Sequence, residues 1–169
     1  MTIRKRHLSR ALLVAVVCTA CVGNKSFDSY QHLSGEEWDR QNILTYNIPT
    51  VHAHDVYKTN VGVRFNDDYS YRNLALEVKH TIHRRDTLSR DTIIEYIDTI
   101  HLSVYDDKGK LQGAGLFSRQ LNSDVRTFSM NEGDSLVVSL RHIMHDAVLY
   151  GIEDAGVNLI GRKPRYQRQ

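Results

Sequence analysis

Apolar and polar residues alternate along short stretches of the chain, which is the pattern of strands with one buried face. In the clearest stretch, Val61, Val63 and Phe65 fall on one side of an extended segment. The same period of two recurs in five further runs, at 43–48, 74–81, 100–105, 136–140 and 157–160. Because no long run has the period of an amphipathic helix, the chain is predicted to consist mostly of strands.

The residues between these runs are typical of turns that connect antiparallel strands. Asp106–Lys110 contains Gly109, which can adopt positive φ at no steric cost, and Asn131–Asp134 directly precedes a strand. Since βαβ units are absent, the pattern predicts an all-β fold: an antiparallel β-sandwich of either jelly-roll or immunoglobulin-like topology. The segment 84–97 fits an extended hairpin or an exposed insertion, because its Thr and Ile residues favour strands while its charges favour solvent.

The first twenty residues have the composition of a secretory signal. A basic start is followed by the apolar run 11–17 and by Thr19-Ala20, directly before Cys21. The run is much shorter than the roughly 20 residues that span a bilayer as a helix. The cysteine after small residues predicts a lipoprotein that is cut before Cys21 and held to a membrane by diacylglyceryl chains on its thiol. An ordinary secretion signal cut near Ala20 and an uncleaved anchor are the alternatives.

These observations divide the chain into four parts. We predict a lipoprotein signal peptide at 1–20, a lipidated tether at 21–31, the sandwich domain at 32–161 and a basic C-terminal tail at 162–169. Removing the signal from the 169 residues leaves 149, a length that suits one domain with its own core.

Charge counted by segment argues against a nucleic-acid partner. The whole chain has 22 Lys and Arg against 20 Asp and Glu. The signal holds four of the basic residues and the tail another four, which leaves 14 bases against 20 acids in 21–161. A body with this acidic balance lacks the basic face that neutralises phosphates, so no nucleic acid is expected to bind.

The residues that carry catalysis or bind metals are not arranged for either task. Cys18 leaves with the signal and Cys21 is acylated, so neither thiol is available for a disulfide, a metal or nucleophilic attack. The nine histidines lack the spacing of three or four convergent ligands, so we expect no metal and no cofactor. Nucleophile motifs are missing, and neighbouring carboxylates such as Asp67 and Asp68 point to opposite faces of an extended chain. The protein is therefore predicted not to be an enzyme.

Aromatic side chains remain as candidates for contacts. Tyr69 and Tyr71 share one side of an extended segment, and Trp38 is the single tryptophan. They could stack on a sugar or on a partner protein, since aromatic rings combine apolar area with a polar tip. Burial at the edge of the sandwich is the alternative, because large aromatic residues are mostly buried.

Several stretches of the chain, taken in order, resemble the gliding-motility lipoprotein GldH family of Bacteroidota. They are Phe27–Tyr30, Tyr71–Leu74, Asp98–Ile100, Asp106–Gly109, Leu111–Gly115, Arg141–Met144 and Leu149–Gly156. The segment 84–97 is longer than the usual connection in that family. The resemblance implies a non-catalytic lipoprotein of the cell envelope, associated with gliding motility and the linked secretion machinery and acting through protein–protein contacts.

The predicted interaction surface combines the aromatic candidates with residues of the matched stretches. Its members are Trp38, Tyr69, Tyr71, Asn73, Tyr150, Glu153 and Asp154. The predicted partners are a membrane, through the anchor, and other envelope proteins. A carbohydrate- or peptide-binding module on the same anchor is the alternative, favoured if an open concave face exposes Trp38, Tyr69 or Tyr71. The stretch 22–26 lacks the acidic run that marks surface export in this phylum, which favours the periplasmic face of the envelope.

Overall fold

In the computed structural model, residues 25–51, 55–85, 91–115 and 118–162 are described, and most of them lie in strands. The strands are β1 (Lys25–His32), β2 (Glu37–Asp39), β3 (Leu44–Ile48), β4 (Asp55–Phe65), β5 (Asn73–Arg85), β6 (Asp91–Ser103), β7 (Arg119–Met130), β8 (Ser135–His142), β9 (Val148–Tyr150) and β10 (Ile152–Arg162). Ser34–Glu36 forms a short 3-10 turn. The predicted signal, Cys21 and the tail beyond Arg162 lie outside the described residues.

Eight of the strands form two four-stranded antiparallel sheets. One sheet has the order β1-β10-β4-β7 and the other the order β3-β8-β5-β6, while β2 and β9 form a separate pair. The chain passes from one sheet to the other after each of these eight strands, except at the β5–β6 hairpin. This connectivity is the jelly-roll topology. The predicted antiparallel sandwich is confirmed, and of the two topologies left open the chain adopts the jelly roll.

The core lies between the two sheets, on the faces that the alternation predicts. In β3 the five residues alternate strictly between buried and exposed positions. Fully buried side chains from both sheets meet there, among them Val61, Val63, Leu76, Val78, Val138, Leu140, Val157 and Leu159. Burial of each such side chain stabilises the fold by about 1.5–3 kcal/mol relative to exposure.

The segment 84–97 belongs to an extended hairpin. β5 and β6 pair antiparallel along their whole length, as far as the pair Arg85 and Asp91. The outward face of β6 exposes Ile93 and Ile97, whose side chains are 59% and 61% accessible. Of the two alternatives for this segment, the hairpin is correct for its described residues.

Two strands escaped the pattern of alternation. Lys25–His32, most of which falls in the predicted tether 21–31, is β1 and pairs with β10. The sandwich therefore begins before the predicted boundary at residue 32. β7 was also missed, because its inward positions are only half-buried over most of its length. Both are edge strands, where one flank has no neighbour and polar residues are tolerated on both faces.

The register of β1 and β10 defines two ends of the sandwich. Lys25 pairs with Ile160 at one end, and His32 pairs with Asp154 at the other. Because Cys21 precedes Lys25 by only four residues, we call the first end the anchor end. The opposite end, which we call the distal end, contains β2, β9 and the loops 66–72, 104–115 and 143–147. Eight residues of strand separate the two ends by about 25 Å.

Candidate functional site

Trp38 and Tyr69 are buried at the distal end. The Trp38 side chain is inaccessible, and its Nε1 donates a hydrogen bond to the Asn42 carbonyl oxygen at 2.9 Å. Tyr69 is 1% accessible, and its hydroxyl donates to the Asn73 carbonyl oxygen at 2.8 Å. Burial raises the pKa of Tyr69. Both residues belong to the core, which corrects their assignment to an exposed interaction surface.

The loop 143–147 at the distal end is held from both sides by polar contacts. The Arg40 guanidinium donates to the carbonyl oxygens of Met144 at 2.7 Å and Asp146 at 3.0 Å, and also to that of His145. The Tyr71 hydroxyl donates to the carboxylate of Asp146, and this hydrogen bond raises the pKa of Tyr71. The loop therefore presents its outward side chains on a fixed backbone.

Apolar and aromatic side chains remain exposed at this end. Tyr150 on β9 is 58% accessible, Ile43 is 52% accessible and Ile143 is 41% accessible. Tyr71 is partly buried, and Asn73, the first residue of β5, is exposed. Of the predicted surface, Tyr71, Asn73 and Tyr150 therefore lie near the distal end with their side chains at least partly accessible.

Glu153 and Asp154 lie on β10, at the end of the strand that follows β9. The Glu153 carbonyl oxygen accepts a hydrogen bond from the Leu33 amide at 2.8 Å, and its side chain is partly exposed. The Asp154 carboxylate lies 3.3 Å from an Arg64 nitrogen and 3.2 Å from His32 Nδ1. Asp154 thus belongs to a polar network on the outer face of the sheet β1-β10-β4-β7.

Tyr30 is the centre of that network. The Arg64 guanidinium carbon lies 4.6 Å from the Tyr30 ring centroid, which is the geometry of a cation–π contact. Gln120 Nε2 donates to the Tyr30 hydroxyl at 2.9 Å, and Arg64 Nε donates to Gln120 Oε1 at 3.2 Å. Asn122 accepts a further hydrogen bond from Gln120. These side chains join β1, β4, β7 and β10 across the outside of the sheet.

Two paired glycines make room for the Tyr30 ring. Gly156 on β10 pairs with both Tyr30 on β1 and Gly62 on β4. A Cβ atom at Gly156 would lie 2.5 Å from the ring, and one at Gly62 would lie 2.0 Å from the Tyr30 hydroxyl oxygen. The analysis of alternation missed Tyr30, Arg64 and Gln120, but a glycine inside a strand marks a close approach of another group.

A second polar cluster lies between the sheets and superficially resembles a catalytic triad. Thr59 Oγ1 is 2.8 Å from His80 Nε2, and His80 Nδ1 is 3.5 Å from Asp98 Oδ2. Arg126 binds both carboxylate oxygens of Asp98 at 2.7 Å. Thr59 and His80 are completely inaccessible, so no substrate can reach the Thr59 hydroxyl. The cluster joins the two sheets and offers no nucleophile.

Burial also sets the charge of His80. Removal from solvent lowers the pKa of His80 to about 4, with Asp98 raising it and Arg126 lowering it further. The imidazole is therefore neutral near pH 7 and can exchange a hydrogen bond with the Thr59 hydroxyl.

Within the described residues, no three side chains of His, Cys, Asp or Glu come together in a way that could hold a metal ion. A cleft of about 320 Å³ lies at the anchor end, lined by Thr50, His83, Arg84, Asp91, Gly133 and Ser135. Arg84 in this cleft is engaged by Asp134 at 3.1 Å. No helix in the described part of the chain is long and apolar enough to cross a membrane.

Comparison with known proteins identifies the family of this sandwich. The model of the GldH lipoprotein family matches residues 25–159, from the first residue of β1 into β10. The chain belongs to the GldH lipoprotein family. GldH lipoproteins are named for gliding motility and are not known as enzymes. The family match therefore spans the whole jelly roll.

A relative with a known name agrees with this assignment. The gliding motility lipoprotein GldH of Flavobacterium johnsoniae is 25% identical to this chain over 104 residues. The aligned region covers 62% of this chain and 60% of the relative, so the chain matches less than two thirds of that protein's length.

Solved structures resemble the GldH-family sandwich at low sequence identity. A protein of Sulfurospirillum deleyianum is 10% identical, with a TM-score of 0.40, over 81% of this chain and 98% of its own. The CBM22-1 xylan-binding domain of Paenibacillus barcinonensis Xyn10C is 12% identical, with a TM-score of 0.36, over 83% of this chain and 96% of its own. At these scores neither structure bears on function.

The buried histidine predicts how stability depends on pH. Between pH 6.5 and about 4 the unfolded chain binds a proton at His80 that the folded protein does not. The free energy of unfolding should therefore fall as pH falls through this range, by on the order of 3 kcal/mol from this group. Urea unfolding of wild type and His80→Gln between pH 4.5 and 7 measures the effect. His80→Gln should flatten the slope, with a remainder from His142, whose pKa is also lowered by burial. The exposed-residue control His101→Gln should keep the wild-type slope; an equal slope in His80→Gln would contradict the prediction.

The glycine pair predicts a coupling that a double-mutant cycle can measure. Gly62→Ala should destabilise the wild-type protein by about 1–3 kcal/mol, because the new methyl group meets the Tyr30 hydroxyl. In a Tyr30→Ala background most of that clash disappears, so the same substitution should cost clearly less. Equal costs in the two backgrounds, measured by urea unfolding, would show that Tyr30 does not occupy this position.

Proposed function

We propose that this GldH-family protein is held in the cell envelope by a lipid on Cys21 and acts by binding other envelope proteins. The observation that carries the proposal is the location of its exposed aromatic residues. Tyr71 and Tyr150 lie at the distal end, while the chain leads to Cys21 from the anchor end. A lipid-anchored sandwich of this design keeps its contact residues away from the bilayer that holds it.

The rigidity of the distal end supports a role in binding. Arg40 and Tyr71 fix the loop 143–147 before any partner arrives. A surface that is ordered in advance loses less conformational entropy on association. Tyrosine is also enriched among the residues that contribute most to protein interfaces, and Tyr150 is more than half exposed.

Two observations support a non-catalytic role. The Thr59, His80 and Asp98 arrangement is inaccessible at its nucleophile, and the Asp98 carboxylate is engaged by Arg126. The network around Tyr30 pairs Arg64 with Asp154 and with Gln120, so its polar groups bind one another. The alternative of a carbohydrate- or peptide-binding module loses support, because Trp38 and Tyr69 are buried and cannot line a groove.

The family relationship suggests the setting of these contacts. We infer that the protein works with the gliding apparatus and the secretion machinery linked to it, in keeping with the name of its Flavobacterium johnsoniae relative. The stretch 22–26 has no acidic run, and on that ground we assign the protein to the periplasmic face of the envelope.

The lipid anchor can be tested directly. Cells that carry wild type, Cys21→Ser or Cys18→Ser are fed an acyl-chain analogue that can be labelled, and membranes are separated from soluble fractions. Cys21→Ser should lose the lipid label and leave the membrane fraction, because its thiol is the acylated atom. Cys18→Ser changes a cysteine that leaves with the signal, so it should behave like wild type. A Cys21→Ser protein that stays acylated would show that the lipid is elsewhere.

The contact surface can be tested by crosslinking and purification from membranes. A double variant Ile143→Ser/Tyr150→Ser removes exposed apolar area at the distal end, so at least one crosslinked envelope protein should fall about tenfold or more in yield. The matched control Ile93→Ser/Ile97→Ser removes a similar exposed area on β6 and should keep that protein. Unchanged yields with the distal variant, or recovery of an oligosaccharide and no protein, would overturn the proposal.

A further inference from the structure

We propose that the basic segment 162–168 contacts anionic lipid headgroups of the membrane that holds the anchor, and so orients the sandwich with its distal end outward. This inference rests on the proposed lipidation of Cys21. The segment contains Arg162, Lys163, Arg165 and Arg168 and no acidic residue. Its partner is identified by charge alone: a surface that displays phosphates or other negative groups.

Strand register brings the basic segment to the membrane. Ile160 on β10 pairs with Lys25 on β1, and β10 ends two residues later at Arg162. Lys25 itself is only four residues from Cys21, a stretch that spans at most about 14 Å when extended. The start of the basic segment therefore lies within reach of the headgroups wherever the acyl chains of Cys21 are inserted.

Charge in the rest of the chain makes this placement directional. Residues 21–161 carry 14 bases against 20 acids, so an anionic surface repels the body of the protein as a whole. Asp55, Asp91 and Glu132 lie at the anchor end and oppose the attraction locally. Arg162, Lys163, Arg165 and Arg168, together with Lys25, outnumber those three acids. The attraction is therefore confined to the anchor end, and any other end turned toward the bilayer is repelled.

Charges at the distal end show the opposite balance. Its loops and strands carry the acids Glu36, Glu37, Asp39, Asp67, Asp68, Asp106, Asp107 and Asp146 and the bases Arg40, Arg72, Lys108 and Lys110. A membrane that attracts the segment 162–168 thus repels the end where Tyr150 is exposed. Lipid chains alone would tether the domain without choosing its orientation, so the basic segment supplies what the anchor lacks.

Vesicles of defined composition test the contact without the anchor. Full-length Cys21→Ser protein is mixed with phosphatidylcholine vesicles that contain or lack 30% phosphatidylglycerol, and co-sedimentation is measured. Binding should require phosphatidylglycerol and disappear in 0.5 M salt, because exposed charges are then screened. Lys163→Gln/Arg165→Gln/Arg168→Gln should weaken it roughly 100-fold, at about fivefold for each base. The matched control Arg72→Gln/Lys108→Gln/Lys110→Gln removes the same charge at the distal end and should not weaken binding.

Orientation is tested with the lipidated protein in the same vesicles. A fluorophore on Asp67→Cys reports the distance from the distal end to a dye in the bilayer, since no other thiol is free in the lipidated chain. Energy transfer should drop when phosphatidylglycerol is present, and the tail variant should lose that response. Equal transfer in both vesicles would overturn the proposal. Protection of the tail from trypsin in the absence of vesicles would also overturn it, by assigning the tail to the acidic body of its own chain.

The two experiments separate this inference from the proposed anchor. If Cys21 is not lipidated but the segment 162–168 binds headgroups, co-sedimentation succeeds while acyl labelling of wild type fails. If the anchor is present and the segment is inert, acyl labelling succeeds and both vesicle assays fail.

Discussion

The antiparallel pairing of β1 with β10 is the constraint on which the rest of the molecule depends. β1 is the strand nearest to Cys21, and its hydrogen bonds to β10 transfer any load on the tether into the sheet. The Tyr30 ring adds side-chain contacts that extend from β1 as far as β7. Because the pairing is antiparallel, it also brings the end of β10 back to the tether and leaves the distal loops free for contacts.

A second constraint closes the open side of the sandwich. β6 and β7 are edge strands of different sheets, and Arg126 on β7 reaches both carboxylate oxygens of Asp98 on β6. His80 and Thr59 continue this contact into the core. A buried ionic pair adds little net stability compared with apolar packing, but loss of one partner leaves an uncompensated charge. The cluster therefore fixes how the two sheets align more than it strengthens the core.

The sequence was informative wherever one face of a strand is fully buried. β3, β5 and β8 alternate cleanly because both of their neighbours and the opposite sheet exclude water from one side. β1 and β7 lie at sheet edges and were missed, since Tyr30 or Gln120 on the outer face satisfies hydrogen bonds that a periodicity cannot reveal. Trp38 and Tyr69 were assigned to the surface because burial of a loop residue depends on partners, here the carbonyl groups of Asn42 and Asn73, that only the folded chain brings near.

The candidate surface shows what remains of a sequence argument once geometry is known. Tyr71 kept its place near the surface, but its hydroxyl is used to hold Asp146, so it supports the loop more than it awaits a ligand. Tyr150 has no such duty and is the more direct candidate for contact. Asp154 moved to another face altogether, where Arg64 neutralises it. A partner that reads the distal end would thus meet a rigid backbone with a few exposed apolar side chains in an acidic setting, at the greatest distance from the membrane that the sandwich allows.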